Sequence, residues 1–208
     1  MTTQAPTLAP IASRTTTRRH LMSLTAGPGR PVAAALATAT THACDAARSA
    51  AKAACDAAEA ALEAANATPD DDVPAVLASP HAAAIRTVRS PLVSARVALS
   101  VGCRPDALAA YRNEHETAVA LAKRWARLTA ELIGWDIAVL HPGRVFVRCA
   151  ALAGCEAEGR TWAALEATAL AMGAALAVLD ADAAPDALAR AQRDGADAVA
   201  LAGAVTGL

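Results

Sequence analysis

About 60 of the 208 residues are alanine, and no other feature restricts the fold of this chain as strongly. Alanine has no rotamer entropy to lose in a helix and is the best helix former, so long stretches are driven to helix by propensity alone. The same residue limits what those helices can bury. A methyl group removes little apolar area from water, so each alanine contributes far less to a core than a leucine does. Aromatic residues do not compensate, since Trp125, Trp135, Trp162, Tyr111 and Phe146 are the whole set. The expected fold is therefore mainly α: an alanine-rich helical bundle with a thin core, its helices packed closely across small side chains.

Turn signals divide the chain. Residues 1–31 are rich in Thr, Pro, Ala and Arg without an apolar period, and read as a disordered basic arm. Residues 32–134 form the expected bundle, and residues 135–208 a helical or small α/β segment packed on it. Within the bundle, residues 32–67 are almost pure helix former. They hold a repeat, Ala43-Cys44-Asp45-Ala46-Ala47 followed by Ala54-Cys55-Asp56-Ala57-Ala58, and its eleven-residue spacing is close to three helical turns and sets both copies on one face. Thr68-Pro69-Asp70-Asp71-Asp72 ends that helix. Ser79-Pro80 and Ser90-Pro91 look like helix starts, giving two short helices over 80–89 and 91–101 or one kinked at Pro91, stopped at Gly102. The strongest helical period runs over 105–133, with Leu108, Tyr111, His115, Val119, Ala122, Trp125, Leu128, Leu132 and Ile133 on its apolar face and Gly134 as its cap.

The C-terminal third is ambiguous. Residues 136–140 and 145–148 read as strands around a His141-Pro142-Gly143-Arg144 turn. A helix covers 162–172, 174–179 continues it or forms a strand, and a helix over 185–193 is capped at Gly195. The run 198–205 cannot be assigned from periodicity. Read as strands, Gly143–Val147, Ala177–Asp180 and Gly195–Leu201 alternate with helices in a cadence that resembles the cobalamin-binding domains of corrinoid proteins and the short-chain dehydrogenases. The loop Gly154-Cys155-Glu156-Ala157-Glu158-Gly159 has neither the histidine of the first nor the middle glycine of the second. A small α/β element with a ligand loop around Gly154, Glu156, Glu158 and Gly159 is the expectation that remains.

The net charge of −1 is segregated. Residues 1–31 carry four bases and no acid, 32–85 two bases and seven acids, 86–148 ten bases and five acids, and 149–208 three bases and eight acids. Blocks of alternating sign attract one another within or between chains. Five cysteines, Cys44, Cys55, Cys103, Cys149 and Cys155, are an odd number without metal-ligand spacing, so reduced structural thiols in a cytoplasmic protein are expected. Arg18-Arg19 resembles a twin-arginine export signal, but Gly27-Pro28-Gly29-Arg30-Pro31 breaks the apolar stretch that should follow. No segment reads as a transmembrane helix, and no membrane partner is expected.

Chemistry is sparse. No nucleophile elbow, phosphate-binding loop or zinc-binding helix occurs, so no catalytic residue, metal or cofactor is expected, and His115 reads as a hydrogen-bonded core histidine. The expected function is that of a non-enzymatic helical interaction protein, in which the alanine face of 32–67 packs on a second copy or a protein partner. One alternative is a small-molecule-binding module in 135–208. Another is a nucleic-acid-associated protein contacting phosphates through Arg18, Arg19, Arg86, Arg89 and Arg96, within a basic region that extends to Arg127.

Overall fold

The computed structural model describes residues 30–67, 80–133, 156–180 and 183–207. Among them are five helices and no strand: α1 (Arg30–Asn66), α2 (Pro80–Val101), α3 (Pro105–Ile133), α4 (Glu156–Leu179) and α5 (Pro185–Thr206). The chain divides into two compact units, residues 1–42 and 43–208. In the first, the described side chains from Ala35 to His42 are mostly exposed, and Thr40 and Thr41 donate their hydroxyl protons to the carbonyls four residues earlier. The basic arm, residues 1–29, lies outside the described residues. So do the acidic loop, Gly134 and the 136–148 hairpin.

The second unit is a helical bundle. Its part of α1 presents a stripe of Ala47, Ala51, Ala54, Cys55, Ala58, Ala61 and Leu62, each fully buried. Both copies of the repeat thus place their last alanine, Ala47 and Ala58, in the core. Cys55 fills the second cysteine position there, its thiol 4.0 Å from the Ala171 carbonyl and its pKa pushed up to about 12 by burial first and by Asp56 next. Cys44 is half-buried, and Cys44, Cys55 and Cys103 are free thiols.

Helix α4 lies at the centre, packed against α2, α3 and α5. A helix apolar on nearly all sides must be covered on nearly all sides, and from Thr161 to Ala175 only Glu166, Leu170 and Gly173 escape full burial. Residues Ala157–Leu179 are long and apolar enough to cross a bilayer, with mean hydropathy 1.7, which the expectation of no such helix missed. Enclosure by the other helices accounts for that composition.

The expected α/β element is not found among the described residues. Ala177–Asp180 continues and ends α4, and Gly195–Leu201 lies inside α5. Few β-branched residues occur there, and alanine propensity carries both segments through as helix. Gly195 does not cap α5 either. A Cβ on it would stand 3.1 Å from the carbonyl carbon and oxygen of Ala50, so this glycine lets α1 and α5 approach closely. The cap is Gly207, in the left-handed region at φ 76°, its N–H bonded to the Gly203 carbonyl.

Helix α2 is continuous through Pro91. Gly102 ends it at φ 89°, its N–H bonded to the Ala98 carbonyl at 2.8 Å. Helix α3 has the expected bounds but a rotated core face. Ala118, Ala122, Trp125 and Thr129 are buried, whereas Leu128 is exposed.

Candidate functional site

The gap in the covering of α4 is a cavity of about 320 Å³ between α3, α4 and α5. Helical spacing builds each wall. Glu166, Leu170, Gly173 and Ala177 line it from α4, His115, Val119 and Lys123 from α3, and Ala187, Arg190, Ala191 and Asp194 from α5. On every helix these positions keep to one face, as the i, i+3, i+4, i+7 set Ala187, Arg190, Ala191 and Asp194 does on α5, so one stripe of each faces the space. Apart from Gly173 the lining is aliphatic, with two cations, two carboxylates and an imidazole added to it.

Gly173 seats the imidazole. A Cβ at this position would lie 3.1 Å from His115 Nε2, so the missing side chain is the room the ring occupies. His115 is also hydrogen-bonded to the backbone of Ala169. Burial outweighs that bond and the nearby Glu116 and Asp194, and lowers the imidazole from its ordinary 6.5, so the ring is neutral at neutral pH. Because His115 meets Gly173 while Lys123 acts on Glu166, α3 and α4 run antiparallel across the cavity.

Both carboxylates are raised. Glu166 is pushed up by burial, against Lys123. The buried indole N–H of Trp162 has no partner at full hydrogen-bond geometry and leans on the same carboxylate, holding it down as well. Asp194 is raised by burial and by Asp197, with Arg190, Arg193 and His115 opposing. Among the described residues, no ion pair closes between Lys123 or Arg190 and either carboxylate. No serine, threonine, cysteine or tyrosine lines the cavity, which leaves it without a hydroxyl or thiol nucleophile.

A second polar cluster sits where α2 begins. His81 packs on Trp125 with ring centroids 4.4 Å apart, its Nδ1 3.0 Å from Thr161 Oγ1 and its Nε2 3.9 Å from Glu158 Oε1. Carboxylate, imidazole and hydroxyl follow in the order of a proton relay. The outer distance is too long for a hydrogen bond, and Thr161 is 1% exposed, so no substrate reaches the hydroxyl. These contacts tie α2 and α3 to the first turns of α4.

The residues expected to bind ligand or nucleic acid are scattered. Gly154 lies outside the described residues, as do Arg18 and Arg19. Glu156 opens α4, Glu158 faces His81, and Gly159 is buried inside the helix. None of the three lines the cavity. On α2, Arg89 pairs with Glu63 at 2.6 Å, and Arg96 with Glu59 at 2.5 Å and Asp56 at 3.4 Å. Arg86 donates to the Ala82 carbonyl in its own helix. On α3, Lys123, Arg124 and Arg127 border a shallow hollow with Leu128 and Glu131.

Among the described residues no group of three or more His, Cys, Asp or Glu side chains is arranged to hold a metal ion. Sequence reasoning took His115 for a core residue and passed over Glu166, Gly173 and Asp194. The available signal was Glu166, the one charged residue between Thr161 and Leu179 of α4 and seven residues before a glycine. No known protein family, curated protein or solved structure matches the chain.

Proposed function

We propose that the protein is a non-enzymatic helical binding protein whose ligand is a small polar molecule held in the α3–α4–α5 cavity. The observation that carries this reading is the convergence of five ionisable side chains from three helices on the partly covered stripe of α4 between Thr161 and Ala175. Concave, partly apolar space with a few convergent polar groups and shifted titrations is what small-molecule sites are built from. The site falls partly in the C-terminal third, on helices instead of an α/β sheet. The lack of a hydroxyl or thiol nucleophile favours binding over covalent catalysis.

Assembly through the alanine face of α1 has less support, because its alanines from Ala47 to Ala61 are covered by the chain's own helices. Nucleic-acid binding through Arg89 and Arg96 has less too, since both are engaged by carboxylates of α1.

A ligand-observed NMR screen of the full chain against small anions, cations and neutral polar compounds tests the proposal. Leu170→Trp fills the cavity from its half-buried wall, and its thermal melt shows whether the bundle stays intact. Compounds that bind the wild type and are lost with the tryptophan support the site. Binding indifferent to that change, or no binding at all, rejects it.

A further inference from the structure

Several charges elsewhere in this bundle pair with one another. Arg89 meets Glu63, Arg96 meets Glu59 and Asp56, Arg112 meets Asp180 and Arg104 meets Asp106. In the cavity, charges of both signs converge without pairing. Lys123, Arg190, Glu166 and Asp194 line one space, two of each sign, and among the described residues none of them closes an ion pair with another. A half-buried carboxylate without a partner is costly, so Glu166 and Asp194 favour a cationic group, while Lys123 and Arg190, exposed at the rim, are free to meet an anionic one.

With a neutral His115 the lining sums to zero formal charge. A ligand of one sign would satisfy one pair of side chains and repel the other. A phosphate or other dianion would face two carboxylates, and a polyamine two cations. A ligand that is neutral overall but carries an ammonium and a carboxylate engages both. The placement of the groups narrows this further. Lys123 and Glu166 share one end of the cavity, with Val119, Ala169 and Leu170 beside them. Opposite charges at one end next to an aliphatic wall match a head group with both charges close together and an apolar tail.

We propose that the cavity binds an α-amino acid, its ammonium against Glu166, its carboxylate against Lys123 and its side chain along Val119 and Leu170. The proposal rests on the reading of the cavity as a ligand site and adds the chemical class. Arg190 and Asp194, which line the same cavity from α5, are left to meet polar groups of the side chain.

A thermal-shift scan of the full chain with the common amino acids at millimolar concentration selects the best side chain. Titration calorimetry then compares that amino acid with two derivatives of the same skeleton, one lacking the ammonium and one lacking the carboxylate. The expected result is binding roughly tenfold or more tighter for the intact amino acid than for either derivative. Glu166→Gln should weaken the amino acid and the amine but spare the acid, and Lys123→Met should do the reverse. The proposal is overturned if no amino acid shifts the melt, if one derivative binds as well as the parent, or if Leu170→Trp leaves amino-acid binding unchanged. In the first two cases the broader ligand-site reading survives when compounds from the NMR screen still bind the wild type and are lost with Leu170→Trp. If those too are absent, both readings fall.

Discussion

At the scale of single residues, two glycines in helix interiors serve different ends. Ordinarily glycine costs a helix about 1 kcal/mol relative to alanine, so Gly→Ala would stabilise where there is room. At Gly195 there is none, because the new Cβ meets the backbone of Ala50 at 3.1 Å, and backbone gives way only by moving α1. Gly195→Ala should cost about 1–3 kcal/mol, as overpacking does. At Gly173 the obstacle is the imidazole of His115, a side chain that can swing aside. Gly173→Ala should therefore cost less than Gly195→Ala while displacing His115 from its seat. Urea denaturation of the two variants gives the ranking, and the ring proton shifts of His115 report the displacement.

His115 also governs part of the pH response. Its folded pKa lies below the unfolded value of 6.5, so the unfolded chain takes up a proton first as pH falls. Stability is full above about 6.5 and declines as pH drops toward the folded value. Glu166 and Asp194 act with the opposite sign, since their folded values are raised. Their contribution is present at low pH and is lost as pH rises through those folded values. Replacing His115 with glutamine should shrink the stability lost between pH 7 and pH 5.5. Denaturant melts of both proteins at the two pH values measure the difference, and an unchanged loss would contradict a half-buried neutral imidazole.

At the scale of elements, α2 carries its proline in mid-helix. The ring removes one backbone hydrogen bond and presses on the carbonyl four residues earlier. Its neighbours Val88, Leu92, Ala95 and Leu99 are nonetheless buried on one face, so packing holds the helix through the interruption. Pro91→Ala should stabilise the protein, by up to about 3 kcal/mol, with a higher thermal midpoint and an unchanged far-ultraviolet spectrum. The sequence expected either two helices or one kinked helix here. Local rules could not choose, because the deciding contribution is the apolar face on both sides of the proline. Ser90 has the chemistry of a cap and lies inside the helix for the same reason. Gly195 looked like a stop for similar cause, since close approach by another helix leaves no trace in the local sequence.

At the scale of the whole molecule, oppositely charged blocks among the described residues pair within one chain. The acids of α1 meet the bases of α2, and Arg112 of α3 meets Asp180 just after α4. These pairs sit near the surface, so each is worth no more than about 1 kcal/mol and weakens in salt. Arg96→Ala should lower stability by about that amount at low ionic strength and by less at high salt. A double-mutant cycle with Glu59→Ala isolates the pair.

The helical character and the position of most helix ends are local properties, legible residue by residue. Alanine propensity and the proline and glycine boundaries act over a few residues, and they place α1, α2 and α3 within a residue or two. The buried repeat on α1 was legible for the same reason, because eleven residues return to one face of any helix. The tertiary structure decided which helix is central, which glycines serve packing, and where the cavity lies. His115, Glu166 and Asp194 are far apart in the chain and belong to three different helices. Only the way those helices pack around α4 leaves one stripe uncovered and brings the three side chains to it.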